Sequence, residues 1–202
     1  YFANNYPEHH VDIGWRDEGQ KEVYIFCKDF MIKNNLNSVV DVGCGSGFKL
    51  VTILGQFNTI GIETEPCYTN LQETYPEYKW LLSGEKETSF NYDNEFDNSY
   101  DVVICSDVIE HIVNPDNLLD YLISLNAKYY IISTPCREVL CNHPKFSSTY
   151  KISWNGPPIN KAHVREWTME EFKKYISKKF NIISSHYGEN QIECQYHLLT
   201  IR

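Results

Sequence analysis

VVDVGCGSGFKL, residues 39–50, is the stretch on which the fold turns. A short apolar run reaches Asp41, and Gly43, Gly45 and Gly47 follow at alternate positions. Glycines directly after a strand let the backbone turn tightly and approach a ligand closely. A helix through Leu50 and Leu54 is expected next, and its first N–H groups have no intrahelical partner. In an open sheet such a loop forms a nucleotide crevice outside the strand ends.

The alternation of short apolar runs with helical patterns extends in both directions. A helix is expected from Asp17 to about Asn34 and a strand over 38–41. After the glycines come a strand over 59–63, a helix from Cys67 to about Tyr75 and a strand over 79–82. A fourth strand spans 100–105, a helix with proline in its first turn spans 115–125, and a fifth strand spans 128–133. Continuous apolar strands separated by helices predict a parallel sheet covered on both faces. Thr168 and Glu171 have capping-box spacing at the start of another helix. Two last strands, 180–187 and 192–201, flank GENQ and predict an antiparallel hairpin. One domain over 1–202 is the simplest division. The Pro- and aromatic-rich stretch 136–161 breaks the rhythm and is expected to be an acceptor-side loop.

Composition narrows the function. The formal net charge of -9 argues against a protein built to grip long nucleic acid through its phosphates. Lys173, Lys174, Lys178 and Lys179 read as the wet side of one helix. The seven cysteines include no CxxC, and several sit in apolar strands, so free buried thiols in a reducing, cytoplasmic setting are expected. Cys136, Cys141 and His143 have no standard zinc-finger spacing, and no metal is expected there. No apolar run is long enough to span a membrane, and NNYPEHH lacks the apolar core of a secretory signal.

Two acidic residues sharpen the glycine loop. Asp41 lies ahead of the first glycine, where a carboxylate can accept from an ammonium group but would repel a pyrophosphate. Glu63, ending TIGIE, can accept from both hydroxyls of a ribose. A nicotinamide dinucleotide would also use Glu63, so Asp41 is the discriminating residue. The structural alternatives are a buried loop-capping carboxylate at Asp41 and a surface acid at Glu63.

Taken together, VVDVGCGSG, GIE and YDVVICSDVIEHIVNP resemble the class I S-adenosylmethionine-dependent methyltransferases, within the small Rossmann-like members carrying a D-V-x-E-H segment. The resemblance covers about residues 17–200 and implies a seven-stranded, mostly parallel sheet of order 3-2-1-4-5-7-6 with helices on both faces. It implies S-adenosyl-L-methionine as cofactor. Gly43, Gly45 and Gly47 would wrap its methionine part, Asp41 would sit near its amino group, and Glu63 would hold the ribose with Thr64 beside it. Glu85 would lie by the adenine. Ser106, Asp107 and Val108 would close the pocket under the sulfonium.

A sulfonium is already an activated methyl donor, so the enzyme must chiefly align the acceptor and exclude water. His111 is the first candidate base, and His163, in KAHVREW, is its positioning partner. Either histidine could instead be structural. Trp154, Arg165 and Trp167 are candidates for the acceptor wall, with Phe146, Tyr150, Asn155 and Asn160 in the same loop and Trp15 and Arg16 opposite. These residues suit a hydroxyl, or less well an amine, of a small polar, sugar-containing acceptor, without a metal. Three alternatives stand beside this reading. One is metal-dependent methylation of an RNA 3′-terminal ribose, with Asp107, Glu110, His111 and His163 around the ion, a pattern related to that of the small-RNA terminal 2′-hydroxyl methyltransferases. The others are a phenolic or quinone acceptor and a non-catalytic cofactor-binding domain.

Overall fold

Five parallel strands build the body of the sheet: β1 (Ser38–Val42), β2 (Asn58–Glu63), β3 (Lys79–Leu82), β4 (Val102–Ser106) and β5 (Tyr129–Pro135). The hairpin strands β6 (Phe180–Tyr187) and β7 (Cys194–Ile201) complete it in the order β3-β2-β1-β4-β5-β7-β6. β7 runs antiparallel to both β5 and β6, as the terminal hairpin requires. This computed structural model describes residues 19–83, 99–142, 157–158, 160, 162–188 and 194–202, with only the backbone of 141 and 142.

The period of two along each strand divides the core between two faces. Val39 and Ile104 pack with Val23, Tyr24, Cys27 and Met31 of α1 (Lys21–Lys33) and with Leu50 and Leu54. Val40, Val42 and Val103 pack on the other side with Leu118, Leu119 and Leu122 of α3 (Pro115–Ser124) and Phe172 and Ile176 of α5 (Met169–Ile176). The same period puts Asp41 on the α1 face, beside Tyr24. α2 (Cys67–Thr74) connects β2 to β3 and buries Leu71.

Local chemistry accounts for the helix ends. Thr168 accepts from the Glu171 N–H, and the Glu171 carboxylate accepts from the Thr168 N–H, so both halves of the expected capping box are formed. Asn35, just past α1, takes a left-handed φ of 52°, a conformation asparagine tolerates. Two elements differ from expectation. The helix after the glycines is a single π-type turn, Leu50–Leu54. The stretch 136–161 opens with a short helix, α4 (Arg137–Asn142), because Cys136, Arg137 and Leu140 are buried against the sheet end.

Cys27, Cys44, Cys67, Cys105, Cys136 and Cys194 are buried free thiols. Among the described residues no helix is long and apolar enough to cross a membrane.

Gly61, in the middle of β2, lies under the Trp80 ring. A Cβ there would come within 2.3 Å of Trp80 Cζ3 and 2.9 Å of Cys44 Sγ. Gly61→Ala should therefore destabilise the sheet by about 1–3 kcal/mol through overpacking. In a thermal melt this corresponds to roughly 2–4 °C per kcal/mol for a domain of this size. An unchanged melting temperature would show that the Trp80 side of the sheet is loosely packed.

Candidate functional site

The donor side is built from the carboxyl ends of β1 and β2. Gly43, Gly45 and Gly47 all have left-handed φ values, of 75°, 56° and 70°. The loop they form is tied to β2 by the Gly43 N–H, which donates to the Ile62 carbonyl at 2.9 Å. A side chain at Gly43 would meet Val108 Cγ2 at 2.3 Å, so Val108 lies directly against the loop. Glu63 is pre-oriented by the same loop. Its Oε1 accepts from the Gly45 N–H at 2.9 Å, and its Oε2 accepts from the Thr64 N–H at 2.6 Å and the Thr64 hydroxyl at 3.2 Å.

Asp41 is completely buried. Its Oδ2 accepts from the Tyr24 hydroxyl at 2.8 Å, while Oδ1 is buried with no hydrogen-bond partner. Burial pushes the carboxyl up to about 7, against the downward pull of the Tyr24 hydrogen bond and of Lys49. A cation placed at Oδ1 would favour the ionised form.

The mouth of β4 is the next wall. Asp107 takes a left-handed φ of 54°, and its N–H donates to the Ser133 carbonyl at 3.3 Å. The Ser133 hydroxyl donates to Asp107 Oδ1 at 2.6 Å, and Gln20 Nε2 donates to Oδ2 at 3.1 Å. With its proton given to Asp107, Ser133 is the acceptor in its 2.8 Å contact with the Ser106 hydroxyl.

The 3-10 turn Ile109–His111 then meets a segment from much later in the chain. Val164 N–H donates to the Glu110 carbonyl at 2.8 Å, and Arg165 N–H approaches the same oxygen at 3.3 Å. These bonds bring Glu110, His111 and His163 together. One ligand-capable atom from each lies within 4.8 Å of the others. The two imidazoles meet edge-on with centroids 5.1 Å apart. His111 Nδ1 lies 2.9 Å from the Ala162 carbonyl, which can only accept, so its proton is on Nδ1 and neutral His111 presents Nε2 as its lone-pair nitrogen. Glu110 is wholly buried; Oε2 accepts from Thr134 at 3.2 Å, and Oε1 has no hydrogen-bond partner. Burial first, then the nearby Asp107 charge, raises its carboxyl well above the usual carboxylate range.

The trio passes a physical test for a cation site. A buried carboxyl oxygen without a hydrogen-bond partner is costly, and a divalent ion taking the place of the proton would satisfy it. One carboxylate and two imidazoles form a donor set suited to a first-row divalent ion. Asp107, the fourth residue of the alternative metal set, has its carboxylate turned to Ser133 and Gln20 instead.

Other candidates fall differently. Arg165 donates to the Val113 carbonyl and lies over the Trp167 ring at 5.7 Å. Trp167 packs on Phe172 and Tyr175 of α5. Glu85 and Trp154 lie outside the described residues, as do Trp15, Arg16, His143, Phe146, Tyr150 and Asn155. The sequence reading missed Tyr24, Ser133, Arg137 and Glu166. Of these only Glu166 carried a local signal, its i,i+3 spacing from His163.

A family model described as a methyltransferase domain matches residues 20–187. Among solved structures, an S-adenosylmethionine-dependent methyltransferase from Clostridium acetobutylicum ATCC 824 superposes with a TM-score of 0.65 at 14% identity, covering 92% of this chain and 93% of that one. The magnesium protoporphyrin IX methyltransferase of Synechocystis PCC 6803, solved with bound S-adenosylhomocysteine, gives 0.65 at 15% identity over 91% and 84%. The small RNA methyltransferase HEN1 gives 0.64 at 20% identity, covering 96% of this chain and 27% of that one. No curated protein matches. The matched family model, the sheet order and the glycine loop agree, and the chain belongs to the S-adenosylmethionine-dependent methyltransferases with the Rossmann-like fold.

Proposed function

We propose that this enzyme transfers the methyl group to a hydroxyl of a sugar-containing acceptor, with a divalent ion held by Glu110, His111 and His163 beside that hydroxyl. The observation that carries the reading is Glu110 Oε1, buried without a partner and adjoining two imidazoles. The sequence favoured a metal-free site; the donor set of the trio supports the metal-assisted alternative instead. When bound, such an ion supplies Lewis acidity toward an acceptor oxygen.

The chain's own residues divide the remaining work. Asp41 receives the cofactor's ammonium group, Glu63 accepts from its ribose hydroxyls, and the glycine loop admits its methionine part. Ser106, Asp107 and Val108 wall the space toward the sulfonium and exclude water. Glu110, His111 and His163 would hold the ion through one carboxylate and two imidazoles, so oxygens of an acceptor with neighbouring hydroxyls would be able to join them. A 3′-terminal ribose offers such a diol, and HEN1 is named as a small RNA methyltransferase. With a net charge of -9, contact confined to the terminal sugar suits this chain better than a long phosphate track.

A second reading has one observation of its own. With its Nδ1 proton given to Ala162, His111 can act through Nε2 as a general base without an ion.

Cofactor affinity should rise between pH 6 and pH 8 as Asp41, raised to about 7, ionises. In the cofactor-free protein the sign is opposite. A raised carboxyl contributes stability below its unfolded value, near 4, and loses it as pH climbs through about 7. Tyr24→Phe removes the bond that holds the carboxyl down. It should weaken S-adenosylhomocysteine binding at neutral pH by on the order of 10-fold and move the rise to higher pH. Calorimetric titration across this range checks both, and a flat profile would remove Asp41 from the cofactor's ammonium.

For the acceptor, labelled S-adenosylmethionine is incubated with ribose-terminated and deoxy-terminated oligonucleotides, sugars and phenols, with Mn2+ or with chelator. Labelling of diol-bearing acceptors, lost with chelator, is expected. His111→Ala should lower turnover by roughly 100-fold or more without changing cofactor affinity. Chelator-resistant labelling would transfer the role to His111 alone. Labelling confined to phenols would reject the sugar acceptor.

A further inference from the structure

Glu166 and Arg137 form a buried charged pair behind the trio, with side chains 0% and 3% exposed. Arg137 Nη1 donates to Glu166 Oε2 at 2.9 Å and to the Pro157 carbonyl at 3.2 Å. Glu166 Oε1 lies 3.0 Å from His163 Nδ1 and also accepts from the Asn160 N–H at 3.2 Å. The pair spans two parts of the chain. Arg137 opens α4 directly after β5, and its N–H donates to the Trp167 carbonyl at 2.9 Å, which sets it opposite Glu166.

The hydrogen-bond directions around His163 admit one neutral tautomer. Asn160 Oδ1 accepts from the Ala162 N–H at 2.9 Å, so the Asn160 amide presents its Nδ2 donor to His163 Nε2, 3.1 Å away. Nε2 is therefore the lone-pair nitrogen, and Nδ1 carries the proton that the Glu166 carboxylate accepts. His111 is fixed in the same sense by a different acceptor, the Ala162 carbonyl. Both imidazoles thus carry their protons on Nδ1, away from their lone-pair nitrogens.

We propose that Arg137 and Glu166 are positioning residues that lock His163 with its proton on Nδ1, so that Nε2 serves as a ligand beside Glu110 and His111. This rests on the metal-assisted reading above. Arg137 supplies the counter-charge that a buried carboxylate requires, and Glu166 holds the ring's tautomer and direction as a carboxylate behind a metal-bound histidine does. Asn160 Nδ2 donates to the same Nε2 lone pair that an ion would use.

Removing one partner alone would leave a buried charge unpaired, so the informative variant is Arg137→Met/Glu166→Leu, in which both charges become apolar groups of similar size. Long-range proton–nitrogen NMR of the metal-free chain, with His163 assigned through His163→Asn, reads the tautomer directly. Wild type should show the proton on Nδ1. The double variant should shift toward the Nε2-protonated form while melting cooperatively and binding S-adenosylhomocysteine as wild type does. Arg137→Lys should retain the wild-type tautomer. In parallel, Mn2+ titration should show one site in wild type and affinity lower by roughly 10–100-fold in the double variant. If wild type bound no Mn2+ while the tautomer still shifted, the ion would fall and the positioning pair would stand. A double variant with the wild-type tautomer would overturn the pair's role. So would wild-type His163 protonated on Nε2, whatever the variants did.

Discussion

Everything at the site depends on β1 lying between β2 and β4 with all three strands parallel. Parallel strands end on one edge of the sheet, and at this point successive connections leave toward opposite faces, which opens a crevice. Asp41 and the glycines follow from the end of β1, Glu63 from β2, Ser106 and Asp107 from β4, and Ser133 from β5. The Glu110 carbonyl extends the arrangement by accepting from Val164 N–H. That backbone tie acts with the Ala162 carbonyl on His111 Nδ1 and Arg165 on the Val113 carbonyl to set His163 beside His111.

Two buried carboxylates give the crevice its electrostatic character. Asp41 Oδ1 and Glu110 Oε1 are both enclosed and lack hydrogen-bond partners, and burial raises both carboxyls. Each faces a cation in the proposed function, the cofactor's ammonium at one end and a divalent ion at the other. Burial favours the neutral carboxyls, and in the proposed function each cation would take the place of that proton. Ligands that bind only the folded state add stability by mass action. The Arg137–Glu166 pair differs because its charges already compensate each other.

Local patterns were readable where the chain's own chemistry decides the structure. The Thr168–Glu171 box, the proline-started α3 and the apolar strands follow from neighbours in sequence. The strand order came from the resemblance carried by VVDVGCGSG and SDVIEH, not from periodicity. His111 and His163 were both legible as titratable groups flanking the crevice. Their T-shaped meeting was not, since it depends on hydrogen bonds between segments 51 and 52 residues apart. Tyr24 carried no signal of its own in the sequence, and Ser133 stood only at the end of an expected strand. Their roles arise from partners 17 and 26 residues away. Arg137 and Glu166, 29 residues apart, gave no sign of a shared buried pair. The four-residue metal set lost Asp107 because its left-handed backbone turns the carboxylate toward Ser133 and Gln20.

The most direct test is a crystal structure of the protein with S-adenosylhomocysteine and Mn2+, with diffraction data collected for anomalous scattering from the ion. A single strong peak within coordination distance of Glu110 Oε1, His111 Nε2 and His163 Nε2, facing the sulfur of the bound cofactor product, is the expected result. An anomalous map with no peak at this trio, while the cofactor pocket is filled, would contradict metal-assisted transfer.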